Sequence, residues 1–165
     1  MSKVKERPIL FNGPMVRAIL EGCKTQTRRE IKNNPLLNAG FTDEFILLPG
    51  NASAFVCPFG VVGDRLWVKE TFEDDEGGWR PSIFMPRWAS RITLEITDVR
   101  VQRLQEITEE DARAEGYHPK INDSLPDWTA KESFKILWDS LNAKRGLDWD
   151  KNPWVWALSF KRVDA

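Results

Sequence analysis

The chain has two cysteines, one histidine and one tyrosine in 165 residues. Two cysteines, Cys23 and Cys57, are too few for a disulfide framework and suit a reduced, cytoplasmic setting. A lone histidine, His118, argues against a Ser-His-Asp triad and against a His-ligated metal centre. Cys23, Cys57 and His118 match no zinc-binding spacing, so neither metal nor cofactor is expected. No apolar run approaches the roughly 20 residues of a membrane helix, and the opening MSKVKERP lacks the apolar core of a secretory leader. No membrane association is expected. Neither sign of charge dominates: 24 basic and 25 acidic side chains leave a net charge of −1. That excludes a wholly basic nucleic-acid binder and leaves room for a local basic site.

What is present suits a domain with a real core. Hydrophobic residues make up 41% and charged residues 30%, an ordinary globular balance. The length fits one domain over residues 1–165. There is no internal repeat and no low-complexity tract. Tryptophan is over-supplied, with eight copies, and so many indoles imply a bulky core or stacking surfaces.

The order of elements is mixed. Pro8–Phe11 reads as a short strand. Asn12 then caps a helix that runs to Glu21 and stops at Gly22. Lys24–Arg29 suits a strand with Thr25 and Thr27 on one face and Lys24, Gln26 and Arg28 on the other. Residues 30–53 read as a long loop. Gly63-Asp64 marks a turn before a strand over Arg65–Phe72. Glu73–Gly78 is a solvated loop, and Trp79–Ser90 has no clear period. Arg91–Arg103 is a strand whose apolar phase flips near Asp98, as a bulge would cause.

Thr108 and Thr129 each open a helix in capping-box fashion, ended by Gly116 and Gly146. In the second of these, Phe134, Leu137, Trp138 and Leu141 form an apolar stripe. A final strand over Trp154–Val163 puts Trp154, Trp156, Leu158 and Phe160 on one face. About five strands and three helices outside βαβ alternation predict an α+β fold with a small, curved or closed sheet.

Charge is uneven along the chain. Residues 1–32 hold eight basic and three acidic side chains, whereas residues 106–115 hold five acids and one arginine. The two blocks either face each other or the first meets phosphate. The densest group is Gly22-Cys-Lys24-Thr-Gln-Thr27-Arg28-Arg29, with an amine, two hydroxyls and two guanidiniums. A hydroxyl becomes a nucleophile only if a base takes its proton, and here the available bases are lysine or a carboxylate. A lysine serves only if burial or neighbouring cations lower its pKa. The same residues can equally form a structural strand edge.

Ala18-Ile-Leu-Glu-Gly22-Cys-Lys24-Thr-Gln-Thr27-Arg28 resembles the ASCH family of the PUA-like superfamily. Further matches are Gly63-Asp64 before a strand, the Leu104-Gln-Glu-Ile-Thr108 entry to an acidic helix, and the ending Ser159-Phe-Lys161. The longer layout, with CPFG, GDRLWVKETF and NPWVWALSFKR, looks like the family's prophage-encoded branch. The resemblance implies a small PUA-like β-barrel with peripheral helices, carrying insertions near residues 30–60 and 73–90. It also implies a basic cleft for RNA, nucleotides or modified nucleobases.

One bacterial branch is an amidohydrolase of N4-acetylcytidine that uses a Lys, a Thr three residues later and a distant Glu. The match assigns these to Lys24 as base, Thr27 as nucleophile and Glu115 as the residue that orients Lys24 or relays a proton. This chain is longer than that branch and has Cys23 where the branch has a basic residue. Arg17, Arg28, Arg29, Arg87 and Trp88 are the candidate nucleic-acid contacts. Without turnover, Thr27 is a cross-strand residue and Lys24–Glu115 a surface ion pair worth under about 1 kcal/mol. A non-catalytic RNA-binding module and a phage accessory protein that binds a host protein are the competing functions.

Trp138, Trp154, Trp156 and Trp67 are expected in the core. Trp79 and Trp88 flank a Pro-rich stretch with Arg80, Arg87 and Arg91. They either pack the insertion against the barrel or stack on bases.

Overall fold

The computed structural model describes residues 3–32, 57–116 and 129–163. Most of the loop expected over 30–53 lies outside these, as do His118 and Trp128. The main sheet has five strands in the order β1-β3-β6-β7-β2. They are β1 (Glu6–Leu10), β2 (Gln26–Glu30), β3 (Arg65–Lys69), β6 (Thr93–Arg103) and β7 (Trp154–Arg162). β1 pairs with β3 in parallel, and the other pairings are antiparallel. A short hairpin, β4 (Phe72–Glu73) with β5 (Trp79–Arg80), stands apart from it. The fold is α+β, as expected.

Among the described residues three α-helices dress the sheet, and each starts where its cap predicts. In α1 (Gly13–Leu20) the Asn12 side chain accepts from the Met15 N–H at 3.0 Å. Both α2 (Glu109–Ala114) and α3 (Ala130–Asn142) begin with complete capping boxes, Thr108 with Asp111 and Thr129 with Glu132. The phase flip near Asp98 is a register shift between Ile96 and Asp98 against β7. It lets an 11-residue strand bend while keeping its apolar side chains inward.

The sheet is covered on both faces. On one, Val16 and Ile19 of α1 pack with Ile9, Leu66, Leu94 and Phe160. On the other, α2 and α3 bring Ala112, Phe134 and Trp138 against Val155, and Trp149 joins them. Trp138, Trp154 and Trp156 are buried as expected, whereas Trp67 is only half-buried.

Three expectations need correction. The strand from Arg65 ends at Lys69, and Phe72 pairs instead in the small hairpin. The α3 stripe divides: Phe134 and Trp138 enter the core, but Leu141 is half exposed. Trp79 and Trp88 do not pack the insertion down, being 71% and 75% exposed. Met85 does so instead, in the middle of that stretch, and it is 4% exposed.

Candidate functional site

The basic and acidic blocks face each other. Gly22, with φ +80°, ends α1 and turns the chain back so that Lys24 N–H bonds to the Ala18 carbonyl. Lys24 then forms a bridge with Glu115, the residue that caps α2. Gly116 makes this approach possible. Its φ is +105°, and a Cβ there would lie 3.1 Å from that of Ala18 and 3.4 Å from that of Lys24.

Lys24 and Glu115 form a buried pair and not a surface one. Their side chains are 0% and 4% exposed. The Lys24 ammonium donates to Glu115 Oε2 at 2.9 Å, to the Glu115 carbonyl at 2.9 Å and to the Gln26 carbonyl at 2.8 Å. Arg28, also fully buried, donates to Glu115 Oε1 at 3.0 Å and pairs with Asp111 at 3.3 Å. With the Gln102 amide oxygen turned toward it, Arg28 gains two further acceptor contacts at 3.0 and 3.2 Å. Burial lowers the pKa of Lys24 below the usual 10.5, and the carboxylate of Glu115 pulls it partly back.

Thr27 and Arg29 alternate with Gln26 and Arg28 along β2, and the Lys24 ammonium lies 5.7 Å from the centre of the Phe11 ring that Arg29 also approaches. Arg29 Nε donates to Thr27 Oγ1 at 3.2 Å, and another of its nitrogens donates to the Leu10 carbonyl at 2.8 Å. Its guanidinium stacks 4.9 Å from the Phe11 ring centre. Arg29 therefore ties together β1 and β2, the two edge strands of the sheet.

Thr27, Arg28, Arg29 and Glu115 line one cavity of about 1110 Å³. Leu137 and Leu141 of α3 and Ser82 of the insertion also line it. The wall mixes hydroxyl, guanidinium and apolar groups, as small-molecule sites do. The volume exceeds what a single nucleoside fills.

The structure thus gathers Lys24, Thr27, Arg28, Arg29 and Glu115 into one region. Arg17 is exposed on α1, and neither it nor Arg87 nor Trp88 lines this cavity. Arg87 pairs with Glu6 at 3.1 Å and lies 5.8 Å from the Trp67 ring centre. Lys24 and Arg28 hold carboxylates and are shielded from solvent, so their charge does not face a phosphate chain. Sequence reasoning missed Asp111, Gln26 and Gln102, which complete the Arg28 shell. The alternation of β2 already placed Gln26 beside Arg28, but Gln102 carried no signal. Among the described residues no group of three His, Cys, Asp or Glu side chains is placed to hold a metal. No described helix is long and apolar enough to cross a membrane.

No family model and no curated protein matches the chain by sequence. Solved structures do match in shape. An ASCH domain from Lactobacillus crispatus JV V101 aligns with a TM-score of 0.51 at 15% identity, over 96% of this chain and 79% of that one. The fold is therefore ASCH-like. A DUF984 protein from Enterococcus faecalis V583 aligns at 0.49 and 13% identity, over 99% of this chain and 78% of that one. At such identities the likeness defines the fold and nothing finer.

Proposed function

We propose that the chain binds a modified nucleoside, free or within RNA, and hydrolyses an amide on its base such as the one N4-acetylcytidine carries. The observation that supports this most is the placement of Thr27 in the cavity wall, one residue from the carbonyl that holds the buried Lys24 ammonium. A buried lysine beside a carboxylate is expensive to keep for packing alone. It is a useful arrangement for moving a proton.

The chemistry runs in two halves. Neutral Lys24 takes the Thr27 proton as Thr27 Oγ bonds to the acyl carbon, giving a tetrahedral oxyanion. The carbon–nitrogen bond then breaks, and Lys24 returns the proton to the leaving exocyclic amine. Water hydrolyses the resulting Thr27 ester by the reverse proton path and releases the free acid. Glu115 holds Lys24 in place throughout. Arg29, already bonded to Thr27 Oγ1, supplies positive charge beside the developing oxyanion.

A second reading has its own observation. All three Lys24 protons point at oxygens of Gln26 and Glu115. In that state Lys24 braces the site and the chain is a binding module without turnover. Turnover requires Lys24 to release one of those partners. Chromatography after incubation with N4-acetylcytidine, as nucleoside and within RNA, separates the two. Cytidine formed by the wild type and absent with Thr27→Ala supports hydrolysis. Retained nucleoside without product supports the binding module.

A further inference from the structure

The insertion between β4 and β6 is held firmly yet leaves its largest side chains in solvent. Two single-turn 3-10 helices, Ser82–Phe84 and Arg87–Ala89, are pinned from below. Met85 is buried, Lys69 donates to the Ile83 carbonyl at 2.8 Å, and Ser90 Oγ donates to the Val68 carbonyl at 2.7 Å. Against that fixed base, Trp79, Ile83, Phe84 and Trp88 are between 59% and 75% exposed. Four large apolar side chains within ten residues, on a segment with its own anchor, are the mark of a surface that meets something.

The charge on this stretch says what. Arg80, Arg87 and Arg91 alternate with the aromatic rings, and each is more than two-fifths exposed and held by one carboxylate, from Asp74, Glu6 and Glu70 respectively. Exposed arginines interleaved with rings match a single-stranded nucleic acid, whose bases stack and whose phosphates attract guanidinium. The place also fits. Ser82 lines the cavity, and Ile83 and Phe84 follow it on the same helical turn. Two of the exposed apolar side chains therefore follow a cavity-lining residue directly in the chain.

We propose that Trp79–Arg91 is a stacking platform for the nucleotides flanking the one seated in the cavity, so that the preferred ligand is a single-stranded RNA chain. This rests on the nucleoside-binding reading of the cavity. Trp88 and Arg87 serve the chain, and Thr27 and Arg29 serve the base.

The test compares two probes. One is a labelled single-stranded RNA of about ten nucleotides with a central N4-acetylcytidine, read by anisotropy. The other is the free nucleoside, read by calorimetry. The platform predicts that RNA binds far more tightly than nucleoside and quenches tryptophan fluorescence. It predicts that Trp79→Ala with Trp88→Ala costs about tenfold or more in RNA affinity and leaves nucleoside binding unchanged. Trp79→Phe with Trp88→Phe retains most of the RNA affinity, which separates stacking from folding.

Nucleoside binding with RNA no tighter, or RNA affinity indifferent to the double alanine variant, overturns the platform alone. Failure of both probes to bind overturns the cavity reading and the platform with it. Self-association abolished by the double alanine variant, with RNA affinity unchanged, assigns the patch to a second copy and also overturns the proposal.

Discussion

Lys24 and Glu115 lie 91 positions apart in the chain and meet twice, through the Glu115 carboxylate and through its own backbone carbonyl, both at 2.9 Å. The first contact neutralises a buried charge. The second fixes the end of α2 against the turn after α1. One lysine therefore both builds the site and equips it.

Breaking this pair from one side is expected to be costly. Glu115→Ala strands the buried charge of Lys24 and leaves Arg28 with Asp111 as its remaining carboxylate, and a loss of about 3–5 kcal/mol is expected. Lys24→Met with Glu115→Gln removes both charges and should cost clearly less than the two single losses added. A double-mutant cycle in urea measures the coupling, and strict additivity would contradict it.

The protonation of Lys24 sets the pH dependence. Its folded pKa lies below 10.5, and the proposed base form is neutral. The catalytic rate at low substrate should therefore rise with pH along a limb whose midpoint is below 10.5. Stability follows the same sign. Between the folded pKa and 10.5 the unfolded chain binds more protons, so Lys24 makes stability rise with pH across that window. Lys24→Arg, which stays charged, should keep the ion pair and abolish turnover. Activity retained in Lys24→Arg contradicts the base assignment.

Gly116 and Gly22 both have positive φ but differ in surroundings. A Cβ at Gly22 meets nothing within 4 Å, whereas at Gly116 it meets Ala18 and Lys24. Gly22→Ala should cost about 1–2 kcal/mol from backbone strain and leave the activity of the folded protein intact. Gly116→Ala should cost more, since it adds a contact to the strain, and should also lower activity by shifting Glu115 from Lys24. Melting curves and turnover numbers for both variants check the contrast.

Asp64 contributes to stability on the acid side. It accepts from the N–H groups of Lys5 and Val61 and from Arg7, each at 3.1 Å. The Lys5 N–H, followed by Val61 and Arg7, holds its carboxyl below the usual 3.8. The stabilisation is full above 3.8 and is lost as pH falls through the lower folded value. Asp64→Asn should be less stable than wild type at neutral pH, with the gap narrowing toward low pH. A gap that stays constant with pH would contradict the role.

Local signals in the sequence carried much of the fold. Thr108 and Thr129 announced helix starts because a capping box is complete within four residues. The bulge near Asp98 was legible because a period-two pattern cannot change phase without an extra residue. Lys24, Thr27 and Glu115 came from matching motifs, and their joint position needed the fold. What escaped was non-local. Arg29 reaching the Leu10 carbonyl depends on the sheet curling enough for a long side chain on one edge strand to reach the other. The exposure of Trp79 and Trp88 depends on Met85 being the residue that packs. Leu141 leaves the core and lines the cavity instead, which the helical period alone does not show.

In the proposed reaction Thr27 is a nucleophile whose base comes from the buried Lys24–Glu115 pair. Rapid acid quenching during turnover of N4-acetylcytidine, followed by intact-mass and peptide mass spectrometry, tests it most directly. One acetyl group is expected on the peptide containing Thr27, absent in Thr27→Ala and in Lys24→Arg. Cytidine released by Thr27→Ala at the wild-type rate, with no adduct on any peptide, would contradict it.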